Sequence, residues 1–169
     1  MSKLQLLMLS FATAVFVAVT QFQAAPPVAA AVTPTQSSEV INFAIQQLDK
    51  PYKLGATGMD RYDCSGLVYR TFQETGLLDK IGGDRKLARG YYHWFKRHGR
   101  VTTEPQVGDL VVWARHHHRV SHIGIFDGYN RWGDPMAISA LVNPYGVSRT
   151  RVFGIDIPLK AYLHVNLTR

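Results

Sequence analysis

The sequence predicts an α+β domain with helices packed on an antiparallel β-sheet, and two observations carry that prediction. Up to about residue 99, apolar side chains recur at the three-to-four-residue spacing of helices, broken by Gly and Pro. Beyond it the runs are short, β-branched and aromatic, with turn signals between them. Helices first and strands afterwards is the order of segregated layers.

The chain begins with a different kind of segment. Lys3 precedes LQLLMLSFATAVFVAV, an uncharged and mostly apolar stretch, and residues 24–34 are almost entirely Ala, Pro and Val. One cation, a short apolar run and an Ala-rich exit predict a secretory signal peptide, with small-residue cleavage sites between Ala24 and Ala31. An uncleaved anchor is the rival, because the apolar run approaches bilayer-spanning length. Residues 1–31 are therefore assigned to signal peptide and linker, and 36–169 to one folded domain. On this reading the protein is exported, to the periplasm or the cell-wall side, with no stable membrane anchor after cleavage. The formal net charge of +7 would lose only the contribution of Lys3. A basic surface outside the cell suits anionic envelope polymers. The cations form no dense run interleaved with aromatics, which argues against nucleic acid.

"SSEVINFAIQQLDK" predicts a first helix, capped by Ser37 or Ser38, with Val40, Ile41, Ala44, Ile45 and Leu48 inward and Pro51 as its stop. "YKLGATGMDRYD" reads as a loop. A second helix fits residues 64–75, with Leu67, Val68 and Phe72 inward and Gly76 ending it. "GGDRKLARGYYHWFKRHGR" predicts a third, capped by Asp84 and ended near Gly99. "DLVVWA", "SHIGIFD", "MAISALV" and "YLHVNL" are strand candidates, with turns at "PQVGD" and "DGYN".

Cys64 is the only cysteine. An exported chain with one cysteine forms no internal disulfide, so the thiol is a reactive group, an intermolecular bridge or a small buried hydrophobe. At the first position of a helix its sulfur meets unpaired N–H groups and the positive end of the helix dipole, which favours a thiolate. Asp63 acting alone would oppose that, and a helix cap is its plain reading. A nucleophilic thiol needs a base. Of seven histidines, His122 lies within an apolar strand and shares a face with Gly124 and Phe126. The run His116, His117 and His118 cannot point one way and has no carboxylate pattern beside it. A metal set of His116, His118 and His122 is the alternative reading of that region.

"PYKLGATGMDRYDCSGLVYRTF", "PQVGDLVVW" and "SHIGIFDG" together resemble the NlpC/P60 family of papain-like cysteine peptidases that cut bacterial cell-wall peptides, over residues 38–155. The resemblance implies the papain-like fold, Cys64 as nucleophile and His122 as general base. It places Tyr52 where the family has an active-site tyrosine facing the cysteine. It places Asp63 where members that bind a free stem-peptide amine use an aspartate, with capping as the rival role. The family's third catalytic residue, usually a histidine, corresponds to Ser139 in "AISALV". A hydroxyl fixes an imidazole less firmly than a carboxylate does. Ser139 suffices, or Asp134 on the longer "YNRWGDPMA" segment replaces it, or the site is weak. The implied function is an exported cysteine endopeptidase acting on peptidoglycan stem peptides through a thioester, without metal or cofactor. A wall-binding module of the same fold and a related amidase or acyltransferase are the alternatives.

Overall fold

A computed structural model describes residues 35–115 and 119–167. The signal-peptide and linker expectations for residues 1–31, and the roles considered for His116 to His118, lie outside the described residues. Among the described residues no helix is long and apolar enough to cross a membrane.

Helix α1 (Gln36–Gln46) is capped by Thr35, whose hydroxyl accepts from the N–H of Ser38. The expected caps Ser37 and Ser38 lie in the first turn, because Thr35 already has the extended backbone that a cap requires. Val40, Ile41 and Ala44 are buried as expected, but Ile45 is exposed. The helix unwinds before Pro51, through a turn in which Asp49 has positive φ.

Helix α2 (Cys64–Glu74) carries the expected inward residues Leu67, Val68 and Phe72, all fully buried. Each such side chain is worth roughly 1.5–3 kcal/mol of transfer free energy. Gly76 follows at φ 71°, the left-handed turn that a side chain would disfavour. Helix α3 (Ala88–Arg97) starts later than expected. Asp84 does not cap it; Leu87 occupies the cap position, with no side chain able to act there. The chain between is occupied by a 3₁₀ turn at Leu78–Ile81 and by Gly82 and Gly83, both at positive φ.

Six strands form one antiparallel sheet in the order β1-β6-β2-β3-β4-β5. They are β1 (Val101–Thr102), β2 (Leu110–Arg115), β3 (Arg119–Tyr129), β4 (Pro135–Leu141), β5 (Gly146–Arg151) and β6 (Leu159–Leu163). The short β1 and the polar β5 were not anticipated, and β6 begins before "YLHVNL". The expected "DGYN" turn lies inside the β3–β4 hairpin, where the register shifts between Phe126 and Tyr129. The reversal itself runs from Asn130 to Asp134, held by Asn130 side-chain bonds to the Trp132 and Asp134 N–H groups.

The sheet separates two apolar layers. On the helix side, Leu67, Val68, Phe72, Tyr91 and Phe95 pack on Ile123, Ile125 and Ile138. On the other, Val111, Trp113, Phe126 and Tyr162 are covered by Val152 and its neighbours. The Trp113 indole N–H donates to the Val152 carbonyl at 2.8 Å, satisfying a buried donor. Helix α2 rests against β3 and β4, which brings its N-terminal end to the strands that carry His122 and Ser139.

Candidate active site

The site begins with the loop of residues 51–63. Tyr52 and Thr57 both bridge to Tyr62, folding the loop on itself, and the Tyr62 hydroxyl donates to the Gln47 amide oxygen at 2.9 Å. A Cβ on Gly66 would lie 1.9 Å from the Ala56 carbonyl oxygen, so only glycine lets this loop press on the first turn of α2. Asp63 ends the loop as the N-cap of α2 and is almost wholly buried.

The Asp63 carboxylate has four donors. Oδ1 accepts from the Gly66 N–H at 2.6 Å and the Ser65 hydroxyl at 2.9 Å. Oδ2 accepts from the Gly55 N–H at 2.7 Å and Arg85 Nη2 at 2.8 Å. The cap alone is worth about 1 kcal/mol. Arg85 also donates to the Gly55 carbonyl, tying the loop to the segment before α3.

Cys64 is the first residue of α2 and is partly exposed. The Gly66 and Leu67 N–H groups are taken by Asp63, which leaves those of Cys64 and Ser65 at the helix end. Both lie against the sulfur, as does the Ile123 N–H from β3. The thiol is nevertheless pushed up to about 11, first by burial and then by the charge of Asp63, with the three N–H groups opposing. The expectation of a lowered thiol pKa is therefore corrected. The helix end supplies its dipole, but desolvation and the capping carboxylate outweigh it.

His122 sits on β3, nearly buried, with its ring 5.1 Å from that of Trp113. Its Nε2 lies 3.0 Å from the Ser139 hydroxyl on β4. Ser139 is fully buried. A Cβ on Gly124 would stand 2.9 Å from both the Ile138 carbonyl oxygen and the Ser139 Cβ. The close approach that brings Ser139 under the imidazole therefore depends on a glycine there. Asp134, the other acceptor considered, is engaged in the hairpin turn with Asn130 and faces Arg151. Burial, then the Arg115 cation, holds the imidazole down to about 4.

Cys64, His122 and Tyr52 line one cavity of about 600 Å³, with Arg115 and Tyr145 on its walls. Burial, then the charges of Cys64 and Asp63, raises the Tyr52 phenol, which therefore keeps its proton and can donate it to a hydrogen bond. A second cavity, of about 390 Å³, opens on the Asp63 side of Cys64 and shares Tyr52 with the first.

A cysteine at a helix end, a histidine on the facing strand and a hydroxyl behind it are the residue types that the resemblance to papain-like peptidases leads one to expect together. The NlpC/P60 family pattern matches residues 49–153, which takes in the loop, α2 and the strands through β5. The chain belongs to the NlpC/P60 family. It is similar to a protein named probable peptidoglycan endopeptidase LytE of Bacillus subtilis, 30% identical over 112 residues, or 64% of this chain and 31% of that one. It is similar also to a probable endopeptidase of Corynebacterium glutamicum, 26% identical over 62% of this chain and 46% of the relative. The chain thus spans less than half the length of these relatives. Among solved structures, NlpC1 from Trichomonas vaginalis superposes with a TM-score of 0.63 at 23% identity, covering 81% of this chain and 46% of that one. The NlpC/p60 domain of the peptidoglycan hydrolase SagA gives 0.53 at 16% identity, over 76% and 97%. The fold is accordingly the α+β NlpC/P60 fold.

Arg85 was missed by sequence reasoning. "GGDRKLAR" showed a run of cations in a segment read as helix, but nothing in local spacing points from residue 85 back to residue 63. The arginines beside the cavities, Arg89, Arg115 and Arg119, were missed for the same reason.

Proposed function

We propose that this chain is an exported cysteine peptidase that hydrolyses an amide of peptidoglycan stem peptides, with Cys64 as nucleophile, His122 as base and Ser139 as its positioning residue. The observation that carries the proposal is the His122–Ser139 bond beside a cavity shared with Cys64. With Nε2–H donating to Ser139, Nδ1 is the ring nitrogen that carries the lone pair and receives a proton. The family relatives, named for peptidoglycan cleavage, supply the substrate class.

Burial pushes the thiol up and the imidazole down, and both shifts favour the neutral form of each group in the resting pair. Proton transfer then accompanies attack. Nδ1 takes the thiol proton as sulfur bonds to the amide carbon, and the carbonyl oxygen gains the negative charge. The N–H groups of Cys64 and Ser65 and the Tyr52 hydroxyl are the donors at hand for that oxygen. His122 passes its proton to the departing amine, leaving a thioester. Water then attacks the thioester and gives His122 a proton, and that proton returns to sulfur as the carboxylic acid leaves.

Digestion of purified peptidoglycan by the wild type and by Cys64→Ala, with fragments identified by mass spectrometry, tests the proposal. Fragments from the wild type alone are expected, and their masses name the bond. The neutral resting pair also favours a second reading, a wall-binding module that keeps the fold. Binding without fragments from any wall type would establish that reading instead.

A further inference from the structure

The tip of the β3–β4 hairpin takes no part in the proposed chemistry. Its longer "YNRWGDPMA" segment, considered as a source of an acceptor for His122, supplies none, and His122 bonds to Ser139 instead. The hairpin holds Trp132 out at 71% exposure. The turn beneath it is tightly tied: Asn130 Oδ1 accepts from the Trp132 and Asp134 N–H groups, both at 2.9 Å, and Asn130 Nδ2 donates to Asp134 at 3.0 Å. The Arg131 guanidinium lies over the indole, 4.0 Å from the ring centroid. It covers one face and fixes the plane of the ring, so the exposure belongs to the other face. A lone exposed aromatic needs no explanation. This one borders a cleft.

The cleft, of about 520 Å³, lies between the hairpin and the edge strand β5, and its size is that of a small-molecule site. Its charges cancel. Arg149 is paired with Asp127, and Arg151 faces Asp134 at 3.9 Å. An ionic ligand would find each opposite charge already engaged, whereas a neutral polar ligand meets no such competition. The loose Asp134–Arg151 pair sets acceptor and donors side by side, which suits neighbouring hydroxyls that each donate and accept. A flat apolar face beside such a pair matches a sugar ring, which carries C–H bonds on its face and hydroxyls around its rim. The cleft also meets the catalytic cavity, because Thr150 lines both. The Thr150 hydroxyl is buried there without a partner among the described residues.

We infer that the Trp132 cleft binds the glycan strand of peptidoglycan, with an N-acetylhexosamine ring stacked on the indole and its hydroxyls on Asp134 and Arg151. This rests on the stem-peptide reading for the choice of sugar and goes beyond it by giving the substrate a second anchor. One stacked ring and a pair of hydroxyl contacts make a weak site, with Kd about 1 mM.

The test is binding of tetraacetylchitotetraose, a peptide-free β-1,4-linked N-acetylglucosamine tetramer, measured by saturation-transfer NMR. Trp132→Ala should weaken binding about tenfold and Trp132→Tyr should restore it to within about threefold, with Tm unchanged in both. In cleavage assays, Trp132→Ala should raise KM about tenfold for a stem peptide still joined to its glycan, while kcat and the KM of the free peptide stay within about twofold. No transfer from the tetramer at about 10 mM, or equal binding by wild type and Trp132→Ala, overturns the inference whether or not the enzyme cuts. An equal rise in KM for both peptide forms places Trp132 in peptide binding and overturns it too. A shift of tryptophan emission on phosphatidylglycerol vesicles, without one on the tetramer, assigns the surface to lipid and overturns it likewise. Failure to cut either peptide form, with Trp132-dependent binding of the tetramer intact, overturns the stem-peptide reading and leaves the sugar site standing.

Discussion

At the scale of single residues, burial shifts the Cys64 thiol and the His122 imidazole, the two groups that exchange a proton in the proposed mechanism. In that mechanism His122 acts as a base only when neutral. Its pKa is held down to about 4 by burial and by Arg115, so the neutral form persists well below the ordinary histidine range. The pH profile of kcat/KM, which reports the free enzyme, should therefore stay level from neutrality to about pH 5 and fall only below it. Arg115→Gln should move that acid limb upward, because removing a neighbouring cation makes the imidazolium less costly. An acid limb at 6.5 or above in the wild type would contradict the buried, neutral base. Ser139 enters through orientation. Ser139→Ala leaves a buried N–H without an acceptor, at a cost of about 1–3 kcal/mol, and frees the ring to turn. The expected result is a fall of about 10- to 100-fold in kcat with KM within about twofold. A KM effect alone would place Ser139 in substrate binding instead.

At the scale of elements, two strands and one helix end do the positioning, and a glycine sets their spacing. Gly124→Ala must push β4 from β3 at the point where Ser139 meets His122, since its methyl would lie 2.9 Å from both a backbone oxygen and the Ser139 Cβ. Overpacking of this kind costs about 1–3 kcal/mol. Both Tm and kcat should fall together, and unchanged values of both would mean the strands part without consequence. The importance of this glycine was visible in the sequence, as were α2, its buried face and strands β2 to β4. Those segments bury one side against the core, and burial writes a period into the residues. Strand β5 escaped because GVSRTR pairs through its backbone while its later side chains reach solvent. The start of α3 escaped because Asp84, a good cap by type, precedes the helix by several residues. The Asp63–Arg85 pair escaped because no local rule links residues so far apart. The reversal of the thiol pKa had a sequence signal, the neighbouring Asp63, but the extent of burial that decides the sign is a property of the packed domain.

At the scale of the whole molecule, the excess of cations is the remaining feature with a physical consequence. The chain carries 19 Lys and Arg against 12 Asp and Glu, and several of the acids are already committed: Asp63 to Arg85, Asp127 to Arg149 and Glu74 to Arg70. Arg89, Arg119, Lys96 and Arg97 remain on the surface without an acidic partner among the described residues. If the protein meets a polyanionic wall, as proposed, such a surface adds a long-range attraction that salt screens over a Debye length of about 10 Å at 0.1 M. A short peptide in the catalytic cavity meets mainly close-range contacts, which salt weakens less. Raising NaCl from about 0.05 to about 0.5 M should therefore release most Cys64→Ala protein from sedimented cell walls, while KM for a short stem peptide rises only a few-fold. Walls stripped of their anionic polymers should retain little protein at either salt concentration. Retention that ignores salt would mean the wall is gripped by shape and hydrogen bonds at the cavity itself, with the net charge serving only solubility.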